Sequence, residues 1–222
     1  ELTDYVDATT TVTNKDVRLA KLGLAGIHQD TLGGGGISSA DLSVVIGQLT
    51  INSPGALAID QASARSDGRY TKFSYSGSRL QRLTDNNHLY LSFSGQRANK
   101  NLDSSEKFSL GGAYGVRAYP QGEGIGDEGY LAILELRHKL SGWAQCILFY
   151  DTGSVTINHS PFGPAAPNTR NLSGAGFGAN VMLVGLQIKA SLAWRTGGGQ
   201  PTSIPAGAVN TPNFWLQVGK VF

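Results

Sequence analysis

Two residues in this chain have types and placing that suit a specific polar contact. Arg117 stands alone among small and aromatic neighbours in FSLGGAYGVRAYPQGEGIGDEG, residues 108–129, and Asp151 ends an apolar run in LFYDTG. A guanidinium and a carboxylate shielded from bulk water form a charge-assisted, often bidentate pair. By residue type alone, the simpler reading is an exposed loop arginine and a strand-end aspartate, worth little even if they meet. Other chemistry has less support. Gly124 to Gly129 spells G-x-G-x-x-G, but dinucleotide binding needs a parallel strand before the motif and a helix after it, and Asp127 and Glu128 would repel phosphate. Glu123, Asp127 and Glu128 read as a solvated acidic loop. The glycine run at 33–36 lacks the Lys-Ser/Thr of a phosphate-binding loop. His28, His88, His138 and His159 fall at strand ends or in loops, with no i, i+4 pairing and no acid nearby to complete a metal set. No Gly-x-Ser-x-Gly elbow occurs. Cys146 is alone and reads as a small apolar strand residue. The expectation is no enzyme, no cofactor and no metal.

The elements that would position Arg117 and Asp151 are strands. Seven glycines and Pro120 rule out a regular helix across 108–129. From Tyr70 onward the chain alternates with period two: Phe73 and Tyr75 against Lys72, Ser74 and Ser76, then Leu89, Leu91 and Phe93 against Tyr90, Ser92 and Gln96. Tyr130, Ala132, Leu134 and Leu136 oppose Ile133, Glu135 and Arg137, and Asp151 shares the face of Ile147 and Phe149. The clearest strand sets Leu186, Ile188, Ala190, Leu192 and Trp194 against Gln187, Lys189, Ser191, Ala193 and Arg195. Residues 1–16 read as a lead-in turn and 52–69 as a polar irregular segment. Ten strands follow from this pattern, near 17–27, 41–51, 70–83, 88–98, leading into 108, 130–137, 144–153, 173–183, 186–195 and 214–222. Connections after the first, fifth, seventh and ninth strands are long or glycine-rich, and those after the fourth, sixth and eighth are short. Two break the alternation: the third is tight, and 52–69 is long on the wrong side.

With 30 glycines in 222 residues, 15% charged residues and a net charge of +2, the chain suits neither a disordered segment nor a nucleic-acid binder. No apolar run approaches the roughly 18 to 20 residues of a membrane helix. Strands of about ten residues with one apolar face, short turns alternating with long loops, and aromatics near strand ends predict an all-β fold, an antiparallel transmembrane β-barrel. A soluble β-sandwich binding module would use the same alternation.

LGGAYGVRAYP followed by GDEGYLAILELR resembles the sixth extracellular loop and flanking strands of two-partner secretion transporters, the haemolysin secretion/activation family of the BamA-like outer-membrane superfamily. The family's Val-Arg-Gly-Tyr tetrad stands here as Val116, Arg117, Ala118 and Tyr119, and its Phe-x-Asp-x-Gly motif as Phe149, Asp151 and Gly153. Alanine at 118 removes easy access to positive φ and implies a differently shaped loop tip. The resemblance implies the last ten strands of a sixteen-stranded barrel, without six strands, a plug helix and two periplasmic POTRA domains. Residues 1–222 would be a single barrel domain or the C-terminal portion of one, with loop 111–129 folded into the lumen and Arg117 paired with Asp151. Glu135 and Arg137 would extend that polar network, and Lys72, Gln96, Gln187, Lys189 and Arg195 would line the path by their parity. The implied function is an outer-membrane pore for a secreted β-helical exoprotein, unfolded in transit, with neither ATP nor an ion gradient. Lipid bilayer would be the other partner, with no nucleic acid and no small-molecule substrate. A standalone or engineered ten-stranded passive pore is the alternative within the same fold.

Overall fold

A computed structural model describes residues 2–5, 11–203 and 212–220. Ten strands form one antiparallel sheet in the order β1 (Leu2–Tyr5), β2 (Thr11–Asp30), β3 (Gly36–Ile51), β4 (Gly68–Arg82), β5 (Asn87–Ala98), β8 (Glu128–Lys139), β9 (Ala144–Thr156), β10 (Thr169–Leu183), β11 (Leu186–Gly197) and β12 (Asn213–Lys220). The short β6 (Phe108–Ser109) and β7 (Ile125–Gly126) pair with each other away from that sheet. All ten strands belong to one sheet rather than to two packed layers, which excludes the sandwich. The sheet is open among the described residues: β2 is paired by β1 only over Thr11 to Lys15, and β12 has β11 alone beside it. The chain-terminal Phe222 lies outside the described residues.

The expected count of ten stands, but its membership differs. The strand expected before the loop shrinks to β6, because the glycines at 111 and 112 follow at once and Phe108 pairs with Gly126 at the base of the same loop. β5 therefore lies directly against β8, with Leu91 opposite Leu134. The tenth place goes to β1, whose hairpin with β2 occupies part of the expected lead-in turn at 1–16; that stretch is rich in β-branched threonine. Removing one strand also restores the alternation of connections. Those at 31–35, 83–86, 140–143 and 184–185 are tight, and those at 52–67, 99–127, 157–168 and 198–212 are long, on the opposite end. The segment read as irregular holds the helix α1 (Pro54–Ala62), which begins with proline in its first turn, where no backbone donor is lost.

The two faces differ as the period-two pattern requires. One exposes Leu22, Leu24, Ile46, Leu91, Leu134, Leu148, Phe177, Leu216 and Val218, with an aromatic row Phe73–Tyr75–Phe93–Tyr130 whose ring centroids are 5.8, 5.6 and 6.2 Å apart. The other, here the inner face, is partly covered by the 99–127 connection. Its core gathers Leu110, Val116, Tyr119, Leu131, Ile147, Phe149, Val155 and Leu172.

Candidate functional site

The segment 108–124 folds back on itself before it meets the sheet. Leu110 N–H donates to Gly124 C=O (3.0 Å), Gly111 N–H to Glu123 C=O (2.8 Å) and Val116 N–H to Leu110 C=O (2.7 Å). Gly112 has φ +127°, a backbone that L side chains avoid, and a Cβ on Gly115 would overlap the Leu110 carbonyl. Ala118 is not among the residues with positive φ, so the alanine needs none of the freedom its family glycine offers.

This compact loop delivers Arg117 to the inner face, where Phe149 and Asp151 of β9 and Glu135 of β8 share one side by register. Asp151 is 0% exposed and Arg117 9%. Arg117 donates to Asp151 from its backbone N–H (3.0 Å), from Nε (2.8 Å) and from Nη2 (2.7 Å). Its Nη1 donates to Glu135 Oε1 at 2.8 Å, and its guanidinium carbon lies 3.4 Å from the centroid of the Phe149 ring. Glu135 accepts Arg137 on its other oxygen through Nε (2.8 Å) and Nη2 (2.7 Å), and Arg137 in turn lies 4.1 Å from the Tyr90 ring centroid. Two arginines and two carboxylates thus neutralise one another, as burial of charge demands.

The neighbouring strand makes room. Gly174, Gly176 and Gly178 of β10 face this group, and β10 shifts register against β11 between Ser173 and Gly174. A Cβ on Gly174 would overlap the Ala118 methyl, and one on Gly176 would come within 2.6 Å of the Phe149 ring. The motif glycine Gly153 leaves space for Leu110, whose Cδ2 would lie 2.6 Å from a Cβ there. Phe149, Asp151 and Gly153 therefore each meet the loop. Tyr119 is fully buried and donates its hydroxyl to the carbonyls of Gly197 and Gly199, the latter at 3.0 Å. Burial pushes the Tyr119 phenol above its ordinary pKa. Trp215 of β12 donates Nε1–H to the Arg117 carbonyl at 2.8 Å, a contact that sequence spacing gave no sign of.

The acidic loop is not solvated. Glu123, Asp127 and Glu128 are all buried, each taken by a cation: Glu123 and Glu128 by arginines of β10 and β5, Asp127 by a lysine twenty residues back in its own connection. Glu123 accepts Arg170 Nη2 (2.9 Å) and the Thr202 N–H (2.9 Å). Asp127 pairs with Lys107 (2.9 Å) and accepts the backbone N–H of Leu102 and of His159. Glu128 meets Arg97 at 2.7 Å and His159 Nδ1 at 2.6 Å. These carboxylates tie the long connections to one another, so their role is to hold the loop. Burial raises the Asp103 carboxyl, but Lys15 Nζ at 2.9 Å and two bonds from Ser105 outweigh it and hold the group below its ordinary value.

Of the other expected inner-face residues, Lys72 and Gln96 are engaged with the 99–127 connection. Lys72 pairs with Glu106 at 2.9 Å, and Gln96 donates to the carbonyls of Glu106 and Asp127. Gln187, Lys189 and Arg195 sit on the inner side of β11 without such partners among the described residues, Lys189 at a cavity of about 360 Å³ beneath the loop tip. No group of three or more candidate metal ligands occurs among the described residues.

A family model described as haemolysin secretion/activation protein ShlB/FhaC/HecB matches residues 3–181, including both motifs. The heme/hemopexin transporter protein HuxB of Haemophilus influenzae strain Rd is 27% identical over 194 residues, 84% of this chain and 33% of its own length. HuxB of strain 86-028NP is 30% identical over 160 residues, 69% of this chain and 27% of its own. CdiB from Acinetobacter baumannii has a similar structure, with a TM-score of 0.50 and 16% identity over 92% of this chain and 42% of CdiB; that likeness concerns the fold. The chain spans about a third or less of the HuxB sequences it matches.

Proposed function

The chain belongs to the haemolysin secretion/activation family, and from that premise we propose that it is the barrel portion of an outer-membrane pore that secretes a partner protein. The observation that carries the reading is Arg117, held by Asp151 and Glu135 of the wall on the face opposite the apolar one. In this reading the apolar face meets lipid, since a sheet exposing leucines, valines and aromatic rings in alternation matches the lipid-facing wall of a barrel. The inner face is the lumen, loop 111–129 occupies it, and the long connections point out of the cell. The free edges, β1 with the rest of β2 on one side and β12 on the other, are paired by further strands or by each other, because unpaired backbone is not tolerated in hydrocarbon.

The partner is a secreted β-helical exoprotein that crosses unfolded. A lining of Gln187, Lys189 and Arg195 makes hydrated, exchangeable contacts with such a chain and offers no large apolar surface to hold it. Glu135 and Arg137 serve the lock rather than the path. The work is transport without bond chemistry, so no enzyme activity and no cofactor is invoked. Arg117→Ala and Asp151→Ala in the full-length transporter should each abolish or sharply reduce the partner in the medium, while the barrel keeps its heat-modifiable migration. Normal secretion by Arg117→Ala would refute the lock as a functional element.

A further inference from the structure

On the tight-turn side of Arg117, one cross-strand row of the inner face runs Lys139, Gln145, Asn180, Lys189, Gln217, each opposite the next by register. The row crosses five strands and is about 19 Å long at the usual inter-strand spacing. Around Arg117 and under the 99–127 connection, polar side chains of this face are engaged with one another. These five form a continuous row in which, among the described residues, no side chain makes a hydrogen bond or an ion pair, as is also true of Gln187 and Arg195 on β11. The only carboxylates on the inner side of β8 to β12 are Glu135 and Asp151, and Arg117 and Arg137 take both. Lys139 and Lys189 are left as two uncompensated charges, with amide side chains between and beside them.

We propose that this row binds an extended acidic segment of the polypeptide in transit, as its first contact inside the pore. The inference rests on the translocation reading above and names the cargo chemistry it favours. Two ammonium groups separated by amides suit carboxylates spaced along a chain. Each amide offers two donors and an acceptor, which match the backbone groups of an unfolded peptide without regard to its side chains. A row of about 19 Å accommodates roughly six extended residues at about 3.3 Å each. Low-dielectric walls focus the field of uncompensated cations, which draws an acidic segment in and leaves a basic one out.

The test is fluorescence anisotropy on the purified, detergent-folded protein with labelled peptides of alternating Glu and Gly, and of alternating Lys and Gly. The acidic peptide should bind and the basic one should not. In Lys139→Gln/Lys189→Gln, acidic binding should weaken about tenfold or more, and the difference should vanish near 1 M salt, where the Debye length is about 3 Å. Lys139→Arg/Lys189→Arg should keep the affinity, and so should Lys21→Gln, a lysine on the inner face of β2 outside this row. Equal affinity for both peptides, or unchanged acidic binding in the glutamine pair, would overturn the assignment and leave the translocation reading in place. Failure of that reading would show instead as undiminished secretion of the partner protein from cells that lack this transporter, an outcome that peptide affinity does not report.

Discussion

The contact between Arg117 and Asp151 lends itself to a double-mutant cycle read by hydrogen exchange. Arg117→Ala removes the Nε, Nη2 and Nη1 bonds but keeps the backbone N–H to Asp151, and it frees Glu135 to serve Arg137 alone. Asp151→Ala removes three bonds at once and leaves a guanidinium, which cannot deprotonate, with Glu135 and the Phe149 ring. Breaking a buried pair by removing one partner costs about 3 to 5 kcal/mol, and water in the lumen lowers that. A coupling near 3 kcal/mol is expected, which speeds local opening about 150-fold. The amides of Val116 and Tyr119 report it, since both are hydrogen-bonded inside the loop and neither bond is deleted by the substitutions. Each single variant should accelerate their exchange by about 100-fold or more, and the double variant should be little worse than either. Losses that add to within about 0.5 kcal/mol would show that the two residues do not act as a pair.

Ile188→Arg on the apolar face should cost about 2 to 4 kcal/mol of folding into vesicles if the site lies near the bilayer midplane, and Ser191→Arg on the inner face far less; equal sensitivity in urea titrations would contradict the membrane placement. Gly176→Ala places a methyl against the Phe149 ring and the Leu192 carbonyl and should lower the melting temperature, by about 1 to 3 kcal/mol of overpacking, whereas Gly142→Ala, which meets nothing, should be silent. Trp215→Phe should loosen the loop by about 1 kcal/mol through the lost bond to the Arg117 carbonyl, seen as faster exchange over 113–119. The folded pKa of Asp103 is depressed, so its contribution is complete above its unfolded value near 3.9 and is lost as pH falls through the folded one. Proteolysis of the 99–107 connection should therefore rise below about pH 4, and Asp103→Asn should remove that dependence while raising cleavage at neutral pH.

Period-two alternation in Leu186 to Arg195, or in Tyr130 to Arg137, is a local property, because successive side chains of a strand leave opposite faces. It fixed which residues share a face before any partner strand was known, and it put Glu135, Arg137, Phe149 and Asp151 on one side. The two motifs identified loop and wall. Strand adjacency is not local. β5 meets β8 across 29 intervening residues, and nothing in FSLGG says that the chain turns back there instead of crossing as a strand. The burial of Glu123, Asp127 and Glu128 had no local signature either, since their cations are distant in sequence: Arg170 on β10, Arg97 on β5, and Lys107 at the other end of the same connection. An acidic loop in isolation is hydrated; only the folded chain brings cations close enough to offset the loss of water. The glycine groove of β10, the Trp215 bond and the uncommitted row from Lys139 to Gln217 likewise depend on which strands are neighbours and in what register, which long-range pairing alone decides.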